Sequence, residues 1–579
     1  MRSDRSVGAQ VVEPLSSWSC AVDFNLAQVA AAVAQALPDR TYFVKGEKSL
    51  TYREFMARSH RLGNALHERG LGCQVERDNL AGHESGQDHI GVLTYNCHEH
   101  LEALIGAYSA RVAPFNVNYR YVDDELIYLL TDQRAVGLVY QSEFAATIAR
   151  IRDRVPDVRV LVQIADQSEH ELLDGAEWYE DVLANQPPTP PPATLSPDDL
   201  YILCTGGTTG MPKGVLWRQA DIFVNALGGS RRASGEEYDS IDQIVQEAVG
   251  RGDKFRNVAV APFMHGAAQW LALTALTQGS CVVVPSNTRA FDPADIWATV
   301  ERTRGTMMQI VGDAFARPLL DELDRRAYVL NDLRIITNGG AVLSARAKER
   351  LTTKLPGVKV IDRLGTSEAG STGLATSRRD AIETTTFEMQ PNTVVLSEDL
   401  SRPLTSGEDE LGWMAMKGHL PLGYLGDAEK TAQTFPTVGG TRYVVAGDRA
   451  RLVADGRLEL LGRDSVTINT GGEKVFAEEV EQALLTHDAV ADVVACGRPS
   501  DRWGSEVVAV VALRPGAQAN LADLRAAAGA HIAAYKLPKA VVFRDRIERS
   551  PSGKADYRWA LSQVTDTDVE QRDTKRRRM

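Results

Sequence analysis

The sequence predicts an α/β protein with a large multi-subdomain N-terminal part and a small α+β C-terminal domain. Three observations carry that prediction. Short β-branched runs recur between helical stretches (GLVY at 137–140, VLVQI at 160–164, VAVA at 258–261, CVVV at 281–284, RIIT at 334–337), which is the alternation of α/β layers with buried strands. Residues 474–545 carry a pattern complete in itself, helix, strand, strand, helix, strand (EEVEQALL, AVADVVA, EVVAVVAL, LADLRAAAGAHI, AVVFR), enough for a separate domain. The 579 residues also exceed a single small fold, at a prior of about 150 residues per domain.

In chain order, Tyr52, Phe55, Leu62 and Leu66 sit at spacings of three, seven and four, so residues 49–69 read as a short extended piece followed by an amphipathic helix. A second helix is expected from His98 to Arg111. The segment QPPTPPPATLSP, 186–197, sustains neither a helix nor a central strand and reads as an extended linker between N-terminal subdomains. A boundary falls at Gly462, after the hairpin-like ADGRLELLG. The expected organisation is thus 1–462, then 463–560, then a disordered tail over 561–579 whose KRRR end reads as a solvated terminus.

Composition narrows the function classes. Apolar residues make up 44% and charged residues 24%, which excludes fibrous and disordered classes. The net charge is −13, which argues against a nucleic-acid backbone as main partner but not against a local nucleotide site. Residues 464–579 hold 17 basic and 17 acidic side chains, so the whole excess lies in 1–463; within that balanced region, 536–560 has seven basic and three acidic. The six cysteines are scattered, with no C-x-x-C pair, which suits a reducing cytoplasm. No apolar run reaches the ~18 residues of a membrane span. Cys97-His98-Glu99-His100 offers metal-ligating types but lacks the second pair of a closed zinc site and reads as structural.

The most informative stretch is Thr205-Gly206-Gly207-Thr208-Thr209-Gly210-Met211-Pro212-Lys213-Gly214. Its glycines let backbone N–H groups approach an anion, and it adds two hydroxyls and a cation. The spacing is neither a Walker loop nor G-x-G-x-x-G. It resembles the signature loop of the AMP-forming adenylating enzymes, the superfamily of acyl-CoA synthetases, peptide-synthetase adenylation domains and beetle luciferase. Further motifs of that superfamily follow in order: APFMHG, NGGA, LGTSE, GYLGDAEKT, AGD, GRDSVTINTGGEKV and PSGK. The chain departs from the family pattern at Gly206, where a hydroxyl is usual, at Leu364, where an aromatic often stacks on adenine, and at the hinge position Ser465.

The resemblance implies a large adenylating domain with a small mobile cap, and roles for named residues. Lys554 would bridge the acyl carboxylate and phosphate oxygens. Glu368, with Thr208, would hold Mg²⁺, and His265 would border the carboxylate pocket. The nucleotide would be held by Thr205, Gly206, Gly207, Thr208, Thr209, Gly210, Lys213, Gly339, Gly340, Ala341, Leu364, Gly365, Thr366, Ser367, Asp448 and Arg463. Gly471, Gly472 and Lys474 match the tunnel for the pantetheine arm of coenzyme A. Taken alone, T-S-x-x at 366–369 also reads as a helix N-cap.

The implied partners are ATP, CoA and a small-molecule carboxylic acid, with neither nucleic acid nor a transmembrane segment involved and assembly as a homodimer left open. Met264 follows Phe263 where amino-acid-activating domains usually place an aspartate, which disfavours an amino acid substrate. The strings HGAAQW, VGDAFARP and TNGGAV are rich in Gly and Ala and leave volume for a large apolar acid. Across the chain the resemblance is closest to actinobacterial fatty-acid and steroid side-chain CoA ligases. A luciferase-like oxygenase and a silent nucleotide-binding module stand as alternatives.

Overall fold

The computed structural model describes residues 23–205, 212–231, 234–408, 410–470, 473–500, 504–549, 554–565 and 571–572. Two extended sheets build the N-terminal region. One has thirteen strands and the other eight, and a six-stranded sheet forms the C-terminal domain.

The thirteen-stranded sheet changes character along its width. Its parallel half comprises Thr41–Lys45, Cys281–Val284, Arg256–Ala259, Met307–Ile310, Ile335–Gly339 and Lys359–Thr366. From Lys359–Thr366 onward the strands run antiparallel through Gly370–Ser377 and Thr386–Met389 to the pair Asp448–Leu452 and Leu458–Arg463. The hairpin read from ADGRLELLG is this last pair. The β-branched runs form buried strands because helices cover both faces. Behind the parallel half, Val258, Met308, Ile310 and Ile336 pack with Trp297 and Leu319.

The eight-stranded sheet is ordered Gly423–Tyr424, Lys213–Arg218, Leu200–Thr205, Ala113–Asn116, His89–Leu93, Ala135–Gln141, Val160–Ile164, Glu177–Trp178. Residues 187–195 hold no helix or strand, and backbone carbonyls of Pro187 and Thr189 accept from Asn64 Nδ2. The strands before and after this stretch in the chain, Glu177–Trp178 and Leu200–Thr205, both belong to the eight-stranded sheet, so the connection joins two strands of one sheet. Between the two large sheets lie the helices Leu26–Ala36, Tyr52–Glu68 and His98–Ser109, inside an apolar cluster that draws on both. Thr51 opens the second helix with a capping box to Glu54. In the Cys97–His100 cluster, His98 Nδ1 lies 3.0 Å from Glu102 Oε1 and His100 Nδ1 lies 2.8 Å from Thr94 Oγ1. These are internal partners, and no group of three metal-ligating side chains occurs among the described residues.

The C-terminal domain follows the predicted order with three further strands, Thr467–Thr470 and Glu473–Phe476 before it and Gln571–Arg572 after it. The disordered tail expected from 561 is corrected at its start. The helix Tyr557–Thr565 runs on because Ala560 and Val564, four residues apart, are buried against Val494, Val508 and Val542. Among the described residues no helix is long and apolar enough to cross a membrane.

One ion triad braces the fold beside the site. His419 Nδ1 lies 2.8 Å from Asp221 Oδ1 and its Nε2 lies 2.9 Å from Glu237 Oε1. Burial opposes its charge, but the two carboxylates overcome that and raise its pKa to about 9. The folded value exceeds the unfolded value of about 6.5. The resulting stability is therefore full below about pH 6.5 and lost as pH rises through about 9. Thermal unfolding of the native chain and of His419→Gln should differ most near pH 6 and converge above pH 9. A gap that stays constant with pH would contradict a charged His419.

Candidate active site

The parallel strands Met307–Ile310, Ile335–Gly339 and Lys359–Thr366 end on one side of the sheet, where open α/β sheets bind ligands. A cavity of about 1610 Å³ opens there, and it takes in residues of both large sheets together with Lys554 of the small domain.

Glu368 sits in the turn between the antiparallel strands Lys359–Thr366 and Gly370–Ser377. The helix N-cap alternative for T-S-x-x is therefore overturned. Thr366 Oγ1 does accept from the Ala369 N–H at 3.1 Å, but a strand follows. Trp217 Nε1 donates to the Ser367 carbonyl at 3.0 Å. Gly370 has φ +69°, and a Cβ there would fall 1.6 Å from Asn225 Oδ1, so only glycine permits this close approach. Tyr424 Oη donates to Glu368 Oε1 at 2.9 Å. That anchors one carboxylate oxygen of Glu368, a residue of the cavity lining.

Asp448 begins its strand directly opposite Arg463. Arg463 Nε donates to Asp448 Oδ1 at 3.3 Å, while Oδ2 is buried with no partner among the described residues. Burial raises the Asp448 pKa and Arg463 counters only some of that rise. An aligned, unpartnered carboxylate oxygen beside a guanidinium suits the hydroxyls of a ribose.

Lys554 reaches this cavity from the C-terminal domain. Much of its side chain is solvent-exposed, so the protein walls around it leave an accessible opening. Those walls and the Arg463 charge lower its pKa, and Glu368 and Asp448 act in the opposite sense. His265, at the N-cap of the helix Gly266–Thr277, lines the same cavity with a buried Nε2 that has no partner among the described residues. Burial, then the charges of Lys554 and Arg120, lower its pKa to about 4, so the imidazole is neutral at neutral pH.

Of the other predicted residues, Thr205, Gly339, Gly340, Leu364, Gly365, Thr366 and Ser367 line the cavity. Lys213 ion-pairs with Asp427, the N-cap of the helix Ala428–Thr434. Ala341 is set back, its carbonyl accepting from Asn338 Nδ2 at 3.0 Å. Gly206, Gly207, Thr208, Thr209, Gly210, Gly471 and Gly472 lie outside the described residues, as does the Lys474 side chain, whose backbone pairs with Asn469.

Several residues that place the site went unnoticed in the sequence. Asn116 Nδ2 donates to the carbonyls of Cys204 and Met264, and its Oδ1 accepts from the Cys204 N–H. It thereby ties the strand before the phosphate loop to the turn before His265. Asn338 accepts from the Gly312 N–H at 2.7 Å and donates to Asp362 Oδ1 at 2.8 Å. Asp362 in turn pairs with Lys348 at 2.7 Å. Tyr424 and Asp427 lie in GYLGDAEKT, so motif order marked the segment but not their tasks.

The donor set fits a magnesium ion carried largely by phosphate oxygens. Mg²⁺ typically takes one or two carboxylates plus substrate phosphates and water, and Glu368 presents one anchored carboxylate.

The cavity takes its walls from the N-terminal sheets and from a lysine of the small domain, and the chain belongs to the AMP-binding enzyme family. The AMP-binding enzyme model matches residues 30–422, and the AMP-binding enzyme C-terminal domain matches 479–554. The chain is 53% identical to a medium-chain acyl-CoA ligase of Mycobacterium avium, over 94% of this chain and 98% of the relative. It is 36% identical to a 3-oxocholest-4-en-26-oate–CoA ligase of Rhodococcus rhodochrous, over 93% and 96%. Its fold matches an anthranilate CoA ligase in complex with anthranoyl-AMP, with TM-score 0.77, 21% identity and coverage of 93% and 97%.

Proposed function

We propose that this chain is an ATP-dependent, AMP-forming acyl-CoA ligase. It acts on medium- or long-chain fatty acids or sterol side-chain acids, the acids named for its relatives in Mycobacterium and Rhodococcus. The observation that carries the proposal is that Lys554, Glu368 and Arg463 line one cavity, with Asp448 bonded to Arg463 behind it.

In the first half-reaction a carboxylate oxygen of the acid attacks the α-phosphorus of ATP, and pyrophosphate leaves. The nucleophile is already an anion, so no base is needed and catalysis is positioning and charge. Asp448 and Arg463 hold the ribose, and Leu364 contributes to an apolar wall for the adenine. Lys554 neutralises the crowded carboxylate and phosphate oxygens. Glu368 and Thr208 would hold Mg²⁺, which would supply charge neutralisation on the phosphates. Neutral His265 orients the acid at the mouth of its channel, with Asn116 fixing the turn before it.

In the second half-reaction the CoA thiol attacks the acyl carbonyl and AMP leaves. The same cavity then needs a different wall, so the domain from 463 rotates about the Arg463–Ser465 connection and exchanges Lys554 for the Gly471–Gly472 segment. A cytoplasmic setting goes with this reading. Among the described residues the cysteines are free, and four of the five are buried.

A panel of fatty, aryl and steroid acids, each with ATP and with or without CoA, tests the assignment. Pyrophosphate release and acyl-CoA formation are expected with at least one fatty or steroid acid. ATP binding with no pyrophosphate from any acid would overturn it.

A further inference from the structure

The acyl end of the cavity is not the plain apolar sleeve that the Gly/Ala-rich strings suggest. Trp270 and Leu271 of the helix Gly266–Thr277, with Phe315, do line one side. The opposite side is the sheet face on which Asn257, Met307, Gln309, Ile335 and Thr337 lie. Residues two apart on a strand share a face. Gln309 pairs directly with Thr337, and Asn257 lies one rung farther along, opposite Met307.

Three neighbouring strands therefore point polar side chains into the channel. Gln309, Thr337 and Asn257 are 5%, 4% and 8% exposed. Gln309 Oε1 is buried with no hydrogen-bond partner among the described residues. On the other face of the same strands, Val258, Met308, Ile310 and Ile336 are packed among apolar residues, so the polar character is confined to the side that meets the ligand. A buried amide oxygen left without a partner carries its full desolvation cost, which an all-alkyl chain lying against it would not relieve.

We infer that Gln309, with Thr337 and Asn257 beside it, forms a polar station in the acyl channel that selects carboxylic acids bearing a hydroxyl or keto oxygen midway along the chain or on a ring. The Gln309 amide oxygen accepts from a hydroxyl, and its amide nitrogen donates to a keto oxygen. Thr337 supplies a second donor. Thr337 lies two residues, about 7 Å, before Gly339 at the active-site end of its strand, and Asn257 is a further rung of about 7 Å away. The oxygen recognised is therefore separated from the carboxylate by a stretch of chain. This deepens the ligase reading, on which it rests, by naming a substrate class.

The test uses the full-length enzyme with dodecanoic acid and a series of hydroxy- and oxo-dodecanoic acids substituted at successive mid-chain positions. Initial rates and calorimetric binding are measured for the native chain, Gln309→Leu and Thr337→Val. For at least one positional isomer, Gln309→Leu is expected to lower kcat/KM and affinity about tenfold or more. Dodecanoate itself should change less than threefold or improve, which also shows that the variant folds. Equal losses for plain and oxygenated acids, or no isomer that depends on Gln309, would overturn the station while leaving the ligase reading intact. Failure of the native chain to release pyrophosphate with any acid would overturn both.

Discussion

Replacing Lys554 with alanine should reduce acid-dependent pyrophosphate release by about 100- to 1000-fold, the usual cost of removing one preorganised charge from a transition state. The lysine comes from the small domain and lines the cavity together with Glu368 and Arg463. ATP affinity should change only a few-fold, because Asp448 and Arg463 remain. Conversion of supplied acyl-adenylate to acyl-CoA should likewise survive, since that step needs a different cap position. Lys554→Arg should not restore full activity, because the planar guanidinium does not reproduce a compact ammonium. Single-turnover measurement of each half-reaction separates these outcomes. Unchanged pyrophosphate release in Lys554→Ala would remove the lysine from the chemistry.

The second large effect is on stability and lies behind the NGGA segment. Lys348 is 1% exposed, pairs with Asp362 at 2.7 Å and donates to the Glu383 carbonyl at 2.6 Å. Burial raises the Asp362 pKa despite the pull of Lys348. Lys348→Met would leave that carboxylate in a dry interior without its counter-charge, which typically costs about 3–5 kcal/mol. Asp362 also holds Asn338, which holds Gly312 and Ala341. The variant should therefore raise KM for acid and ATP as well as lower the denaturation midpoint. Adding Asp362→Asn should recover a large share of the stability, because it removes the stranded charge. Equal stability of Lys348→Met and the native chain would show that this pair does not brace the site.

Much of the fold could be read from the sequence where a strand is buried on both faces. VLVQI at 160–164 and CVVV at 281–284 coincide with the observed strands, because a short apolar run bounded by turns has one stable use in a layered protein. The strand Thr386–Met389, TFEM, carried no such signal. It is four residues long, and one of its antiparallel neighbours lies more than 50 residues away in the chain.

The site divides in the same way. Motif order pointed to Glu368, Asp448 and Lys554; Glu368 in a turn and Lys554 in a second domain line one cavity, and Asp448 at a strand start is bonded to Arg463 of the same lining. The tasks of Tyr424, Asn338, Lys348 and Gln309 were not legible, because amides, hydroxyls and single charges acquire tasks only from the neighbours that tertiary pairing supplies. Gln309 looks like an ordinary strand residue until Thr337 is seen beside it and its amide is seen to lack a partner among the described residues.

The central claim is that the acid is activated as an acyl-adenylate before CoA is engaged. Isotope exchange between ATP and pyrophosphate tests it most directly, measured with a turnover-competent acid and with CoA omitted. Exchange should appear only when the acid is present, and it should fall with Lys554→Ala in parallel with pyrophosphate release. Exchange that requires CoA, or conversion of ATP to ADP instead of AMP, would contradict the account.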